Sequence, residues 1–397
     1  MVQKDMLALG RRRSVIREIF EYGRKRKVEI GAENVFDFSL GNPSIPAPPQ
    51  VTETLSRLLQ NTDPATLHAY TSAPGDPQVR QSVANYVKDT FGFAASPALI
   101  YMTAGAAASL TVTLTALVGP GDEVVVLAPF FPEYTVFIER TGATVRPILC
   151  REEDFQVDPT ALSHAITPNT RAIIINSPNN PTGAVLSLES VKAIAAILTE
   201  KETAFGHPIY LISDEPYREL TYGGVEVPYL PLYYPDTVVC YSFSKSLSLP
   251  GERIGYILVS PTATDAADVF DAVCGAGRAL GFVCAPSLFQ HMVKDCIGLV
   301  ADITAYDRNR RRLLEILTDC GFDVVKPDGA FYLFMRSLEP DAVAFCERAR
   351  EQELLLVPSD DFGMPGFVRI AYCVSFEQIE RSEEAFRRLA DSYQGGH

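Results

Sequence analysis

Short apolar and β-branched runs alternate with longer helix-periodic stretches through the middle of the chain. The strand-like runs are residues 99–103, 123–127, 144–149, 171–176, 210–213, 238–242 and 254–259. Several are continuously apolar, such as Val124-Val125-Val126-Leu127 and Ala172-Ile173-Ile174-Ile175, the pattern of strands buried on both faces. Helical periodicity marks 106–117, 134–142, 188–200 and 264–273, and Gly119-Pro120-Gly121-Asp122 ends the first of these. Strands alternating with helices predict an α/β fold with a mostly parallel, seven-stranded sheet sandwiched by helices. After about Phe282 the pattern changes. A long helix over 288–317 leads into a strand-like 324–335, a helix near 341–353, a strand-like 367–373 and a last helix. The expected division is a large domain over 46–282 and a smaller α+β domain built from 1–45 and 283–397.

Composition narrows the function. A 397-residue chain with 47% hydrophobic and 21% charged residues is an ordinary globular protein. Its net charge of -14 argues against nucleic-acid binding, because a phosphate backbone rewards a basic face. Basic residues do gather at Arg11, Arg12, Arg13, Arg17, Arg24, Lys25, Arg26 and Lys27, but Val15, Ile16, Ile19 and Phe20 recur among them at helical spacing, so they read as a solvated helix face. No apolar run has the roughly 18 residues of a membrane span, and the start lacks the apolar core of a secretory signal. Eight cysteines are scattered from Cys150 to Cys373 without a C-x-x-C pair, which indicates neither a metal site nor a disulfide framework. The expectation is a cytoplasmic protein with reduced thiols that acts on small molecules.

The strongest chemical signal is Ser242-Phe243-Ser244-Lys245, followed by Pro250-Gly251-Glu252-Arg253-Ile254-Gly255. The lysine falls at the carboxyl end of a buried strand, where open α/β sheets place ligands. An amine that forms an imine must first lose its proton, and burial near other cations favours that loss. Ser242, Ser244 and Arg253 are suited to hold a phosphate. Other strands also end in polar segments. They are Asn176-Ser177-Pro178-Asn179-Asn180-Pro181-Thr182-Gly183, Ile212-Ser213-Asp214-Glu215-Pro216-Tyr217, Thr103-Ala104-Gly105-Ala106-Ala107 and Pro129-Phe130-Phe131-Pro132-Glu133-Tyr134. Arg369 sits inside an apolar strand, where an arginine requires a partner.

These motifs, in this order, resemble the class I aminotransferases among the fold type I enzymes that use pyridoxal 5′-phosphate (PLP). The resemblance implies that Lys245 carries PLP, that Asp214 faces the ring nitrogen, and that Asn180 and Tyr217 bond the ring oxygen. Phe131 would stack on the ring, with Tyr134 lining the same pocket. Gly105, Ala106, Ala107, Ser242, Ser244 and Arg253 would hold the phosphate. Relatives often have a polar or cationic side chain near Ala107, so contact here would run through the backbone. Arg369 would take the substrate α-carboxylate, and Gly41 would approach substrate through its backbone. Tyr70 would reach the phosphate of a neighbouring subunit, making a homodimer with shared active sites. Arg278 stands roughly where some aspartate aminotransferases place an arginine for the distal carboxylate. The implied reaction is amino transfer from an L-amino acid, aspartate first, to a 2-oxo acid such as 2-oxoglutarate. The same motifs serve a β-eliminating C-S lyase, and a non-enzymatic regulator with an aminotransferase-like domain is a third reading.

Overall fold

The computed structural model describes residues 2–11 and 14–394; Arg12 and Arg13 of the basic run lie outside the described residues. All seven strand-like runs become strands of one sheet: β1 (Ile100–Thr103), β2 (Glu123–Ala128), β3 (Thr144–Leu149), β4 (Thr170–Asn176), β5 (Tyr210–Glu215), β6 (Thr237–Ser242) and β7 (Gly255–Val259). Their order across the sheet is β1-β7-β6-β5-β4-β2-β3, and β7 alone runs antiparallel to its neighbours. β5 runs two residues further than expected, so Asp214 and Glu215 are buried strand residues despite their charge.

Alternation along the strands explains the two layers of helices. Val124, Val126, Ala172, Ile174, Ile212 and Val238 pack toward the helices Ala106–Leu117 and Ala266–Leu280. Val125, Ile173, Ile175 and Leu211 pack on the opposite side with Leu162, Val191, Ile194 and Leu198. Each fully buried side chain of this size contributes about 1.5–3 kcal/mol. A charge at Ile173 or Ile174 would therefore disrupt one layer or the other.

The expected single helix over 288–317 is two helices, Ser287–Cys296 and Ile303–Asp319. Gly298, at φ 87°, turns the chain between them, and the Asp302 side chain accepts from the Thr304 N–H at 3.0 Å to start the second. Met292, Val293 and Cys296 join the core of the large sheet, so packing with that sheet continues past residue 282. Leu313, Ile316 and Leu317 belong to the other core.

That second core surrounds an antiparallel sheet. The expected strand over 324–335 is split into β8 (Val324–Val325) and β9 (Tyr332–Arg336), and these combine with β10 (Val357–Pro358) and β11 (Phe367–Ala371) in the order β10-β11-β9-β8. The residues between β8 and β9 turn away to bond the large domain. Gly329 N–H donates to Gly183 O at 2.8 Å, and Ala330 N–H to Leu220 O at 2.8 Å. These bonds hold Tyr332 and Arg369 over the carboxyl ends of the large sheet.

The basic run is less uniformly solvated than its composition suggested. Arg24 and Lys25 are exposed, but Arg26 pairs with Glu353 at 2.6 Å and Lys27 with Asp37 at 3.1 Å. Both pairs fasten the Val15–Ile30 helix beside Phe36–Asp37, which pairs in parallel with Leu354–Leu355. Among the described residues no helix is long and apolar enough to cross a membrane.

Candidate active site

Strand carboxyl ends deliver most of the chemistry to one place. A cavity of about 510 Å³ is lined by Ala106 and Ala107 after β1, Phe131 after β2, Asn176 and Asn180 from the end of β4, Asp214 and Tyr217 from β5, and Ser242, Ser244, Lys245 and Arg253 from β6 onward. Gly41, Tyr332 and Arg369 close it from the other domain. Parallel strands end on the same side of a sheet, so ligand groups from distant segments converge there.

Lys245 follows the strand on a short turn of helix, Phe243–Ser246. Its Nζ donates to Gly41 O at 2.8 Å and lies 5.3 Å from the centre of the Phe331 ring. Burial, helped by Arg253 and Arg369, lowers its pKa to about 8. An amine in this state loses a proton far more readily than a surface lysine.

Asp214 is 4% exposed. Its Oδ2 accepts from the Tyr134 hydroxyl at 2.5 Å, while Oδ1 is buried without a partner among the described residues. Burial pushes its pKa up to about 7; the Tyr134 hydrogen bond opposes that rise and Glu215 adds to it. Tyr134 therefore does not line the cavity as expected. Its ring is 1% exposed and packs near Phe130 and Phe131, and its hydroxyl reaches back to the acid. Asn176 ties the neighbourhood together, donating to Asp214 O at 2.9 Å and accepting from the Asn180 N–H at 2.8 Å.

Arg369 is 2% exposed and has no carboxylate partner among the described residues. Its Nη1 donates to Asn180 Oδ1 at 3.1 Å and Nη2 to Ser39 O at 2.6 Å, whereas Nε is buried without a partner. The Tyr332 ring lies 4.7 Å from the guanidinium, and the Tyr332 hydroxyl is 3.0 Å from that of Tyr217. A buried cation without a counter-ion is costly unless a ligand supplies one.

At the opposite end, the Ala106–Leu117 helix begins at Gly105, which has φ 85° and no side-chain cap. A Cβ on Gly105 would meet Arg253 Nη2 at 2.9 Å, so glycine lets the guanidinium approach the helix start. The Ser242 and Ser244 hydroxyls are 2.8 Å apart, and Arg253 Nη1 lies 3.4 Å from Ser244 Oγ. Free backbone N–H groups, two hydroxyls and a guanidinium make an anion cradle.

A family model described as "Aminotransferase class I and II" matches residues 33–386. The chain belongs to that family. This aminotransferase is 32% identical over 363 residues to the aspartate/prephenate aminotransferase of Thermus thermophilus, covering 88% of this chain and 89% of the relative. An amino transferase structure from Eubacterium rectale superposes with a TM-score of 0.97 at 50% identity, covering 99% of each chain. The Thermus thermophilus aspartate aminotransferase with maleate superposes with a TM-score of 0.86 at 28% identity, covering 98% of this chain and 99% of the other. The aminotransferase is PLP-dependent. Its cavity fits that cofactor: a buried acid oxygen lacks a donor, a lysine sheds its proton easily, and an anion cradle stands at the far end.

Two further expected residues lie outside this chain's cavity, as Tyr70 should if it serves a neighbouring subunit. Tyr70 is 97% exposed and Arg278 is exposed at the end of the Ala266–Leu280 helix; neither lines the cavity of its own chain. Tyr332 and Ser39 were missed as contributors, and the bond from Tyr134 to Asp214 was not foreseen. For Tyr332 a hint existed in an aromatic flanked by Phe331 and Leu333, but nothing local distinguishes it from a core residue.

Proposed function

We propose that this aminotransferase moves the α-amino group of an L-amino acid with an acidic side chain, aspartate first, to a 2-oxo acid such as 2-oxoglutarate. The observation that carries this reading is Arg369, a buried guanidinium without a carboxylate partner that fronts the same cavity as Lys245 and Asp214. A planar guanidinium is matched to an α-carboxylate. The acidic preference is supported by the names of the relatives and by the maleate held by the Thermus structure.

Lys245 would hold PLP, Asp214 Oδ1 would face its ring nitrogen, Asn180 and Tyr217 its ring oxygen, and Phe131 its face. Gly105, Ala106, Ala107, Ser242, Ser244 and Arg253 would hold its phosphate. When bound, PLP supplies an electron sink for the pair left behind as the substrate Cα loses its proton. The Lys245 amine would be the base that takes the Cα proton, and its depressed proton affinity suits it to work near neutral pH. Arg369 fixes the substrate so that the Cα–H bond points at that amine. Gly41 O orients Nζ from the substrate side. We place Tyr70 against the phosphate of a second copy in a homodimer, a role compatible with its exposure.

The test is a panel of L-amino acids against 2-oxoglutarate, pyruvate and oxaloacetate with PLP-loaded protein. Aspartate and glutamate should give the highest kcat/KM. Release of pyruvate and ammonia from a sulfur amino acid without any 2-oxo acid, together with no amino transfer, would overturn the assignment.

A further inference from the structure

Two tyrosine hydroxyls meet in the cavity wall, and the proposed reaction gives a use to only one of them. Tyr332 opens β9 opposite Ala371 of β11, and Tyr217 follows β5. Both side chains are buried and both line the cavity. Their rings meet edge to face with centroids 5.8 Å apart, and their hydroxyl oxygens are 3.0 Å apart. Among the described residues neither hydroxyl has another hydrogen-bond partner. Burial pushes the Tyr332 pKa up to about 12 and that of Tyr217 well above its ordinary value, so both stay neutral and carry one proton each. The bond between them uses one proton and leaves the other for a ligand.

The charges around the pair decide which hydroxyl donates. The Arg369 guanidinium lies 4.7 Å from the centre of the Tyr332 ring and makes that phenol the better acid. The Asp214 carboxylate acts on Tyr217 and makes its oxygen the better acceptor. The remaining titratable neighbours are Cys373, whose thiol burial keeps neutral, and Lys245 itself. We propose that Tyr332 is a positioning residue for the cofactor, its hydroxyl donating to Tyr217 and turning the proton of Tyr217 toward the PLP ring oxygen. This rests on the reading that places Tyr217 against that oxygen. A donor that is itself hydrogen-bonded is polarised and binds its acceptor more strongly. A stronger bond to the ring oxygen stabilises its negative charge, so the nitrogen that links PLP to Lys245 holds its proton less tightly. Tyr332 therefore acts on that nitrogen through Tyr217 alone.

The test is a spectrophotometric pH titration of PLP-loaded protein, because the visible absorbance of the PLP–lysine linkage changes as its nitrogen gains a proton. Tyr332→Phe, which keeps the ring, should raise the midpoint by about half a unit to one unit. Tyr217→Phe should raise it by about one to two units, since it removes a bond to a charged oxygen. In the Tyr217→Phe background, Tyr332→Phe should add no further shift. Replacing Tyr332 by 3-fluorotyrosine, a stronger donor of nearly the same shape, should move the midpoint down. An unchanged or lowered midpoint in Tyr332→Phe, with Tyr217→Phe still raising it, overturns the role of Tyr332 and keeps Tyr217 at the ring oxygen. A Tyr332→Phe shift that persists in full without the Tyr217 hydroxyl also overturns it. Weakened maleate binding with an unmoved titration would reduce Tyr332 to a support for Arg369. Unmoved midpoints in both single variants would remove Tyr217 from the ring oxygen and the role of Tyr332 with it.

Discussion

Replacing Tyr134 with Phe isolates what one hydrogen bond does to Asp214. The variant loses a single oxygen, and its ring keeps its neighbours, Phe130 and Phe131, with centroids 6.4 and 5.8 Å away. What disappears is the donor to Asp214 Oδ2, leaving both carboxylate oxygens bare in a buried setting. A hydrogen bond to a charged group contributes about 1.5–3 kcal/mol, and one pH unit of proton affinity corresponds to about 1.4 kcal/mol. The Asp214 pKa should therefore climb by roughly one to two units from its value of about 7. At neutral pH the variant would keep its proton where the native acid is about half ionised.

If Asp214 must be ionised to hold a protonated ring nitrogen, that rise becomes a loss of cofactor affinity. Pyridoxamine 5′-phosphate is the ligand of choice, because it has no aldehyde to react with Lys245. Calorimetry is the assay, since the chain has no tryptophan to report binding. At pH 6.5 the apo-variant should bind about 10- to 100-fold more weakly than the native protein. At pH 9.5, above both pKa values, the two should agree within about threefold. Equal affinities at pH 6.5 would refute the role given to Tyr134. A loss of the same size at both pH values would mean damaged packing rather than a shifted acid.

The depressed proton affinity of Lys245 also has a stability consequence. Its folded pKa of about 8 lies below the ordinary 10.5, so between those values the unfolded chain holds a proton that the folded chain has shed. The charged lysine therefore penalises the apo-fold fully below pH 8, and the penalty fades as pH rises toward 10.5. Lys245→Met should raise the thermal midpoint of the apo-protein at pH 7 by the equivalent of roughly 1–3 kcal/mol, with the gain shrinking toward pH 10; a lower midpoint at pH 7 would contradict this. Gly41→Ala tests the contact between domains, because the added Cβ would fall 1.9 Å from Tyr332 Oη and force that ring off Arg369. Its kcat/KM for amino acids should fall by roughly ten- to a hundredfold, as expected for about 1–3 kcal/mol of overpacking, and unchanged kinetics would show that Tyr332 does not position Arg369.

The large sheet was legible because a strand buried on both faces is written as an uninterrupted apolar run, and all seven runs became strands. Asp214, Asn180 and Lys245 were legible for a related reason: a polar cluster at the end of such a run marks the side where ligands gather. Contacts that reach the site from outside that sheet were not legible, even where one partner, such as Arg369, was named. Tyr134 meets Asp214 across 80 positions and Arg369 meets Ser39 across 330, and no local pattern encodes either contact. The long helix over 288–317 failed because apolar periodicity persists through a break made by one left-handed glycine and one aspartate cap.

Motifs also name residues without showing whether they are satisfied. Asp214 has one oxygen without a donor, Arg369 has no carboxylate, and Lys245 carries a charge that burial disfavours. Each is a cost to the protein alone. Each would be relieved by a different part of one liganded assembly: a ring N–H at the acid, an α-carboxylate at the arginine, and a covalent bond at the amine. The three groups are held within one cavity by a hydrogen bond from Tyr134 and by bonds that they donate to Asn180, Ser39 and Gly41, none of which neutralises the group it positions. That distinguishes this cluster from the buried Glu215–Arg218 pair a few residues away, where the Nε to Oε2 distance of 2.5 Å completes both charges and leaves nothing for a ligand to do.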